Sequence, residues 1–357
     1  MALYPGGERE QRIPKAALKD LVGSIFAARG MSASDAALLA DSLVAADLRG
    51  VHSHGVLRVP DYAAKLEEGG VDPKGRPRIV RDRGSALVID GSNAMGQVST
   101  HFAMEHAIER ARKTGVALAA IRRSNHNGAL FYYAMQGLPE NMIGLASTNA
   151  LPTMAPWGGL DKIVGINPLA IAAPASEEHP LVVDSAFSYS SHGKIRVYHQ
   201  KGEPIPSTWA FDRNGQPTAS AAEAIQGLLQ PIGEYKGVAL AIMLGVLSSL
   251  LSGAAYGTEL GNMIEGPQAG KDGHFVLAIH VAAFEDPQRF RSRVDTLIRQ
   301  IRSSRRAAGV DRLYAPGGLE AEIAARQEVE GIPLNPITLD GLRQAATSTG
   351  VSAEALD

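Results

Sequence analysis

Residues 47–58 read Asp47-Leu48-Arg49-Gly50-Val51-His52-Ser53-His54-Gly55-Val56-Leu57-Arg58, which places a hydroxyl, two imidazoles and two guanidiniums in one short segment between glycines. Ser53 and His54 can form a proton relay, and Arg58 can hold a carboxylate through two parallel hydrogen bonds. Such a mixture of side chains has little use in a scaffold. We therefore expect this segment to carry the chemistry of the chain.

Helical periodicity precedes the segment. Spaced apolar residues predict one helix over 11–30, and a second helix should begin with Ser32 or Ser34 as N-cap and end at Gly50. Beyond the segment, His54, Arg58 and Tyr62 follow one another at intervals of four, which would align them on one helix face. Pro60 is tolerated only in the first turn of a helix, so the local geometry stays open.

Strands and helices alternate through the rest of the chain. Strands are predicted over 80–90, 116–121, 142–146, 169–173, 181–183 and 274–284. Helices are predicted over 98–113, over 220–230, over 238–251 as a buried helix, from Pro287 onward, and near 318–328 and 338–348. This alternation predicts an α/β fold.

Composition narrows the class of protein. The 357 residues are 45% hydrophobic and 20% charged, as in ordinary globular proteins. A net charge of -2 gives no long-range attraction to nucleic acid or anionic membranes, and the absence of cysteine excludes disulfides and thiolate chemistry. The N-terminus does not resemble a signal peptide, and the longest apolar run is too short for a bilayer. We expect a cytoplasmic protein without nucleic-acid or membrane partners.

Three other places in the sequence could bind a ligand. The polar turn 122–128 connects a predicted strand to a helix, where free backbone N–H groups bind anions, and His126 within it could bind or simply cap. Asp184 ends an apolar strand, a common ligand position in α/β proteins, although a turn cap is the commoner role. Lys236 with Gly237 at a helix start could meet a phosphate or be merely solvated.

Several familiar signatures are absent or incomplete. The chain has neither the G-x-G-x-x-G fingerprint nor a P-loop, which disfavours an ordinary Rossmann domain. Ser53 and His54 could form a hydrolase dyad, yet the G-x-S-x-G elbow is missing, and His54 could also be a satisfied loop histidine. His52 and His54 resemble a metal pair without a third ligand, so no metal site is predicted.

The order of these motifs resembles the type-2 malate/L-lactate dehydrogenase family, which includes ureidoglycolate and sulfolactate dehydrogenases, diketogulonate reductases and piperideine-2-carboxylate reductases. The resemblance covers roughly residues 15–320. The matching segments are Asp47-Leu48-Arg49-Gly50, Ser53-His54-Gly55 with Arg58, Ser124-Asn125-His126 with Gly128, Thr148-Asn149, Ala155-Pro156-Trp157-Gly158-Gly159, Asn167-Pro168-Leu169-Ala170, Gly193-Lys194 and Tyr235-Lys236-Gly237.

The resemblance implies a non-Rossmann NAD(P)-binding α/β fold with a mixed sheet core, usually as a homodimer. Residues 91–284 would form the cofactor-binding domain, and residues 1–90 and 285–357 a mainly helical domain that carries the histidine segment. The implied catalytic residues are Ser53, His54 and Lys194, and the implied substrate-binding residues are Arg58, Tyr62, His126, Thr148 and Asn149. The implied NADH or NADPH contacts are His126, Asn127, Gly128, Ala129, Leu130, Asp184, Ser185, Ala186, His192, Gly193, Lys236, Gly237, Arg312, Pro316 and Gly317.

The implied reaction is hydride transfer between nicotinamide and C2 of a small 2-oxo or 2-hydroxy acid. His54, with an ordinary pKa near ~6.5, would exchange the proton, and Arg58 would orient the carboxylate. The chain departs from the family pattern at His52, at Ile166 and over residues 185–188.

Alternatives to this reaction remain open. One is an NADPH-dependent reductase of a cyclic 2-imino acid, although imine-reducing members often carry aspartate at the position of Lys194. The others are a Ser-His hydrolase and a non-catalytic nucleotide-binding protein. The choice between NAD and NADP also stays open, with His192 and Arg196 as candidate partners of a 2′-phosphate.

Overall fold

A computed structural model describes residues 10–261 and 268–357 of the chain. Its α-helices are α1 (Lys15–Ala28), α2 (Ala33–Leu48), α3 (Val59–Glu67), α4 (Gly96–Thr114), α5 (Phe131–Ala134), α6 (His192–Gln200), α7 (Ala221–Gln226), α8 (Tyr235–Gly245), α9 (Pro287–Ser303), α10 (Gly318–Glu330) and α11 (Pro336–Thr349). Its strands are β1 (Gln11–Ile13), β2 (Arg78–Asp82), β3 (Ala86–Asp90), β4 (Val116–Ser124), β5 (Met142–Thr148), β6 (Pro152–Met154), β7 (Val164–Gly165), β8 (Leu169–Ala173), β9 (Leu181–Ser185), β10 (Ala210–Phe211), β11 (Leu228–Leu229), β12 (Asp272–His280) and β13 (Ile332–Leu334).

A mixed seven-stranded sheet forms the centre, in the order β2-β3-β4-β12-β5-β8-β9. Strands β3 and β4 pair in parallel, and the other neighbours pair antiparallel. Alanines such as Ala119 and Ala278 are fully buried in these strands, and α4 packs against them through Ala103 and Ala107. Small side chains on both surfaces allow close approach of helix and sheet. The predicted α/β class is confirmed.

The two ends of the chain share a second, mainly helical core. Strand β1 pairs antiparallel with β13, so that Ile13 lies opposite Ile332. Leu18 and Leu43 from the first helices pack in the same buried cluster as Leu342 from α11. Segments more than 300 residues apart in sequence therefore complete one hydrophobic layer.

Three predicted element boundaries are wrong. Residues 80–90 form two antiparallel strands, because Gly84 adopts a left-handed conformation and its N–H donates to Asp82 in a tight turn. The helix predicted over 220–230 ends at Gln226, since Leu228 and Leu229 pair with β10. The strand predicted over 274–284 ends at His280, where a 3-10 turn begins.

The helix predicted over 238–251 is also different from expectation. It begins at Tyr235, passes into a π-turn at Val246–Leu250, and is buried on one side only. Leu240, Met243 and Leu251 are each more than half exposed.

Parts of residues 1–90 and 285–357, which are predicted to form a separate helical domain, contact the central sheet. Strands β2 and β3 lie in the central sheet, and α9 packs through Val294 and Ile298 beside Leu181 of the edge strand β9. The division into domains at residues 90 and 285 stays a prediction.

Within the described ranges, no helix combines the length and apolarity needed to cross a membrane.

Candidate active site

The buried carboxylate of Asp47 fixes the conformation of the segment that follows α2. Asp47 is 1% exposed, and its oxygens accept hydrogen bonds from His52 Nδ1 and from the Val56 N–H, both at 2.6 Å. A side chain at Gly55 would place its Cβ 2.2 Å from this carboxylate, so only glycine fits there. Two 3-10 turns, His52–His54 and Val56–Arg58, result from these bonds. Pro60 then falls in the first turn of α3, where proline is tolerated.

The predicted Ser-His pair forms. Ser53 Oγ lies 2.8 Å from His54 Nδ1, and the ring of His54 stacks on that of His126 with centroids 5.6 Å apart. Burial, together with the charge of Arg58, lowers the pKa of His54 to about 3. The expectation of an ordinary pKa is therefore wrong for the free protein, in which His54 is neutral at physiological pH.

His126 is held in one tautomer. Tyr62 lies with its hydroxyl 2.5 Å from His126 Nδ1, and the N–H of Gly128 points at the same nitrogen from 3.4 Å. Burial raises the pKa of Tyr62, which keeps its hydroxyl a donor, and burial lowers the pKa of His126 well below its usual range. His126 Nδ1 is thus an acceptor, and the ring proton resides on Nε2.

Arg58 is buried and oriented by several groups. Its Nε donates to the Ser53 carbonyl at 3.0 Å, and Nη1 donates to Asp61 at 3.1 Å. Arg196 of α6 donates to the same Asp61 oxygen at 3.0 Å. A Cβ at Gly193 would lie 2.7 Å from Arg58 Nη2, so glycine lets α6 approach the guanidinium closely.

A cavity of about 280 Å³ opens beside the Ser-His pair. It contains Ser53, His54 and three groups of residues that the sequence predicted, namely Gly128–Leu130, Asp184–Ala186 and Lys194. Its other lining residues are Arg49, Gly50, Val51, Phe131, Ile166, Pro168, Val182, Ser188, Tyr189, Ser190, Ser191 and Glu320.

Three charged side chains in the cavity wall have defined surroundings. Lys194 Nζ lies 4.8 Å from the ring centroid of Trp209, and burial lowers the pKa of this lysine. Asp184 accepts the Phe131 N–H at 2.8 Å, and loss of hydration raises the pKa of its carboxyl to about 6. Arg49 stacks on Phe131 at 4.9 Å.

None of the five predicted substrate contacts is a lining residue of this cavity. Arg58, Tyr62 and His126 lie next to the Ser-His pair through the contacts given above, whereas Thr148 and Asn149 have other partners. Thr148 Oγ1 is 2.7 Å from His274 Nδ1, and Asn149 donates to Ser249 at 2.7 Å and accepts from the Gly273 N–H. These bonds join β5 and the residue after it to β12 and to the π-turn at Val246–Leu250. A substrate role for Thr148 and Asn149 stays a prediction.

Some predicted cofactor contacts also lie outside the lining. Lys236 is exposed at the start of α8, where Gly237 lets the helix approach the Ile232 carbonyl. His192 is exposed and 3.3 Å from the Ile225 carbonyl. Asn127 is buried and donates to Thr100 at 3.1 Å.

The C-terminal residues predicted to contact the cofactor are not lining residues, but two of them contact Val182, which is one. The Val182 N–H donates to the Pro316 carbonyl at 3.2 Å, and Gly317 has a left-handed conformation packed on the same valine. Arg312 pairs with Glu322 at 2.6 Å.

Sequence reasoning missed several lining residues. Arg49 lay inside the opening segment, but nothing in the pattern indicates where a side chain at a helix end points. Ser191 is the N-cap of α6 and accepts the Lys194 N–H, which an N-cap search could have found. Glu320, in the first turn of α10, carries no sequence signal. In the described ranges, no group of His, Asp and Glu side chains could hold a metal ion.

Comparisons with known proteins identify the family of the chain. A family model described as malate/L-lactate dehydrogenase matches residues 13–343. The chain is 37% identical to a malate dehydrogenase of Pyrococcus abyssi over 352 residues, 96% of each chain. It superposes on the malate dehydrogenase of Pyrococcus horikoshii with a TM-score of 0.89, at 33% identity and 97% of each chain. A Δ1-piperideine-2-carboxylate reductase of Pseudomonas syringae superposes with a TM-score of 0.83, at 30% identity, over 94% of this chain and all of the other.

The family model and these similarities to enzymes named as dehydrogenases define the protein as an NAD(P)-dependent dehydrogenase. The matched model covers most of the chain. The protein belongs to the malate/L-lactate dehydrogenase family.

Proposed function

We propose that the protein transfers a hydride between nicotinamide and C2 of a small 2-oxo or 2-hydroxy acid, with His54 as the acid/base and Arg58 as the carboxylate ligand. The relatives named as malate dehydrogenases support this class of substrate. The observation that carries the proposal is the Ser53–His54 bond of 2.8 Å in the wall of a cavity, with Arg58 held against the Ser53 carbonyl.

The lining chemistry fits a dinucleotide held on a scaffold without a Rossmann fingerprint. Ala129, Leu130 and Ile166 offer apolar surface for a ring, and Ser188, Ser190 and Ser191 offer hydroxyls. Gly128, with a left-handed φ of 74°, adds no side chain to this wall. When bound, the nicotinamide supplies or accepts the hydride at C2 of the acid.

His54 moves the proton. In the direction of hydroxy-acid oxidation, its neutral imidazole accepts the hydroxyl proton at Nε2, while Nδ1–H donates to Ser53 Oγ. In the direction of reduction, His54 must first be protonated. Burial is the main cause of the low His54 pKa, and the charge of Arg58 is the second cause. A substrate carboxylate beside Arg58 would offset the second cause, so that binding of the acid raises the His54 pKa.

Arg58 orients the acid. Its Nε and Nη1 are committed to the Ser53 carbonyl and to Asp61, which fixes the plane of the guanidinium. A guanidinium held in one plane would orient the bound 2-oxo acid so that one of its faces meets the nicotinamide. This orientation reduces the entropy that is lost when the reactive geometry forms.

Reduction of a cyclic 2-imino acid is the second candidate. The structural similarity to the piperideine-2-carboxylate reductase favours it. Lys194 lines the cavity near Ser53, and its ammonium would repel a protonated imine, whereas it would tolerate a carbonyl oxygen.

The proposal predicts a specific loss in two variants. Oxidation of NADH and NADPH is measured against a panel of 2-oxo acids, with and without amines. For the best acid, His54→Asn should lower kcat by about 1000-fold and leave the Kd for the dinucleotide nearly unchanged, because general acid-base catalysis is removed. Arg58→Lys should mainly raise KM for the acid, since an ammonium lacks the planar fork.

His199→Asn is the matched control, because this histidine is exposed near the end of α6. It should turn over like the unaltered protein. Unchanged turnover in His54→Asn would disprove the assigned role. Ester hydrolysis that needs no dinucleotide and disappears in Ser53→Ala would support a hydrolase instead. Dinucleotide binding with no turnover of any acid would support a binding protein.

We also propose that two copies of the chain associate. The exposed face of α8 and the turn after it carries Leu240, Met243, Leu250 and Leu251, each more than half exposed. Contiguous apolar surface of this kind is typical of a protein interface.

A further inference from the structure

A buried amide lies behind the contact between Tyr62 and His126. Gln97, in the first turn of α4, is fully buried, and its Nε2 donates to the Tyr62 hydroxyl oxygen at 3.4 Å. A Cβ on Gly128 would lie 3.2 Å from the same Nε2. Gln97 therefore touches the hydroxyl that faces His126 Nδ1 and lies close to the glycine whose N–H points at the same nitrogen.

The backbone around this amide is closely packed. Gly96 brings the first turn of α4 against the carbonyls of Asn125 and His126, where a Cβ would clash. Asn125 also accepts the Gly270 N–H at 3.0 Å, which fixes the start of the turn. Because the beginning of α4 and the turn with His126 are packed backbone to backbone, the Gln97 side chain has a defined position relative to the imidazole.

The hydrogen bonds from Gln97 to His126 have one consistent direction. A glutamine Nε2 only donates, and a tyrosine hydroxyl has a single hydrogen. Because the Gln97 N–H occupies the Tyr62 oxygen as an acceptor, the hydroxyl hydrogen is left for His126 Nδ1, 2.5 Å away. The Gly128 N–H points at the same nitrogen and would repel a hydrogen on it. Nδ1 is thus an acceptor, and Nε2 carries the ring hydrogen.

Stability alone does not explain the glutamine. Gln97 Oε1 is buried and has no hydrogen-bond partner within the described ranges. A buried acceptor without a partner destabilises a fold, and a role in function is one reason for its retention. A leucine of similar size would avoid this loss of stability, but it could not donate to Tyr62.

His126 is adjacent to the histidine that is proposed to move the proton. Its ring stacks on that of His54 with centroids 5.6 Å and planes 17° apart, and within the described ranges neither Nε2 has a hydrogen-bond partner. A small acid beside His54 therefore lies within reach of both rings.

We propose that Gln97 is a positioning residue, which keeps the Tyr62 hydroxyl donating to His126, so that His126 presents Nε2–H to the oxygen on C2 of the acid. This inference rests on the proposed function, because the acid must lie beside His54. During reduction, the hydrogen bond from His126 strengthens as negative charge develops on that oxygen, whereas the proton itself comes from His54.

The tautomer of His126 can be measured directly. In protein labelled with ¹⁵N-histidine, protonated and unprotonated ring nitrogens give separate NMR signals, and the His126 signals are assigned by their loss in His126→Gln. In the unaltered protein, Nδ1 should be unprotonated and Nε2 protonated. In Gln97→Leu, the Tyr62 hydroxyl can turn away, so both signals should move toward values averaged over two tautomers. A protonated Nδ1 in the unaltered protein overturns the inference, even if no variant folds.

The kinetic test uses the 2-oxo acid that the unaltered protein reduces fastest. Gln97→Leu should lower kcat about tenfold and change KM by less than about twofold, because the donor acts mainly on charge that develops in the transition state. Tyr62→Phe should lower kcat at least as much. Adding Gln97→Leu to Tyr62→Phe should cause no further fall, since Gln97 acts through the hydroxyl. An unchanged kcat in Gln97→Leu, or an equal fall in both backgrounds, overturns the inference.

Gln327→Leu is the matched control. Gln327 is also buried, its Oε1 also has no partner in the part of the chain that the structure describes, and it lies on α10 outside the cavity lining. The control should leave kcat and the His126 signals unchanged, and an equal fall in kcat would overturn the inference. If the unaltered protein reduces no acid, the proposed function fails, whereas the His126 signals still decide whether Gln97 sets the tautomer.

Discussion

In the proposed reaction, the protonation state of His54 determines whether this side chain can accept or donate the proton. His54 is buried beside a guanidinium, so its pKa is about 3 in the free protein. An exposed histidine titrates near 6.5. Burial depends on residues distant in sequence, which is why the pair Ser53 and His54 could be predicted from adjacent letters and the pKa could not.

This pKa predicts an unusual pH profile. For hydroxy-acid oxidation at saturating NAD⁺, kcat/KM should show no acidic limb from His54 between about pH 5 and 8, because the base is already neutral throughout. Asp184 also faces the cavity and has a pKa of about 6, so its change of charge could make the binding of NAD⁺ depend on pH. Saturation with NAD⁺ removes this dependence from the measured profile. A limb near pH 6.5 that moves in Ser53→Ala would contradict the assignment.

Other site residues illustrate the same limit. Arg58 could be predicted because it stands in the same segment as His54. Asp61 and Arg196, which orient it, lie 135 positions apart, and only the approach of α6 to α3 brings them together. The role of Asp47 also could not be predicted from the sequence. Its sequence context indicates only a helix end, whereas the structure shows that its buried bonds to His52 and Val56 shape the two turns.

At the scale of elements, a buried histidine connects three neighbouring strands. His274 of β12 lies 2.8 Å from Ser124 of β4 and 2.7 Å from Thr148 of β5. Burial lowers its pKa to about 3. The sequence placed His274 at the start of a strand but could not indicate its neighbours, because strand order is not encoded in local periodicity.

Removing this histidine should weaken the sheet and alter its response to acid. His274→Ala should cost about 3 kcal/mol at pH 7.5, since two hydrogen bonds and buried volume are lost. A folded-state pKa below the unfolded value gives stability that is present above about pH 6.5 and lost as the pH falls toward 3. The difference in the free energy of unfolding between the unaltered protein and the variant should therefore be about 2 kcal/mol smaller at pH 5 than at pH 7.5.

Urea denaturation at both pH values checks this, with His106→Ala on α4 as the control. His106 is only partly buried and donates a single hydrogen bond from Nδ1 to the Phe102 carbonyl. If the difference in the free energy of unfolding stays constant or increases at pH 5, His274 is not held neutral in the folded protein.

Helices and strands themselves were largely predictable where periodicity was strong. The buried stripes of α1 and α2 follow directly from their apolar spacing. Errors arose where a single residue reverses the chain, as at Gly84, or where a short apolar pair such as Leu228-Leu229 fits either state.

For the whole molecule, the exposed face of α8 predicts self-association. Light scattering should give twice the chain mass of 37.6 kDa. A double variant, Leu240→Glu with Met243→Glu, should shift the protein to the single-chain mass, because buried unpaired carboxylates disfavour the interface. Val329→Glu alters an isolated apolar residue that is 87% exposed and should have no effect. A single-chain mass for the unaltered protein would contradict the proposal.

The pairing of β1 with β13 has a consequence for the order of folding on the ribosome. Gln11 also donates from its side chain to the carbonyl of Leu356, so the segment around Gln11 acquires its native contacts only after residues 332–356 have been synthesised. Leu342 of α11 completes the cluster that buries Leu18 and Leu43, and α11 also packs on the turn at Val56–Arg58. A ribosome-bound chain that stops before residue 332 should therefore expose this cluster and show no turnover, even though the strands of its central sheet have all been synthesised.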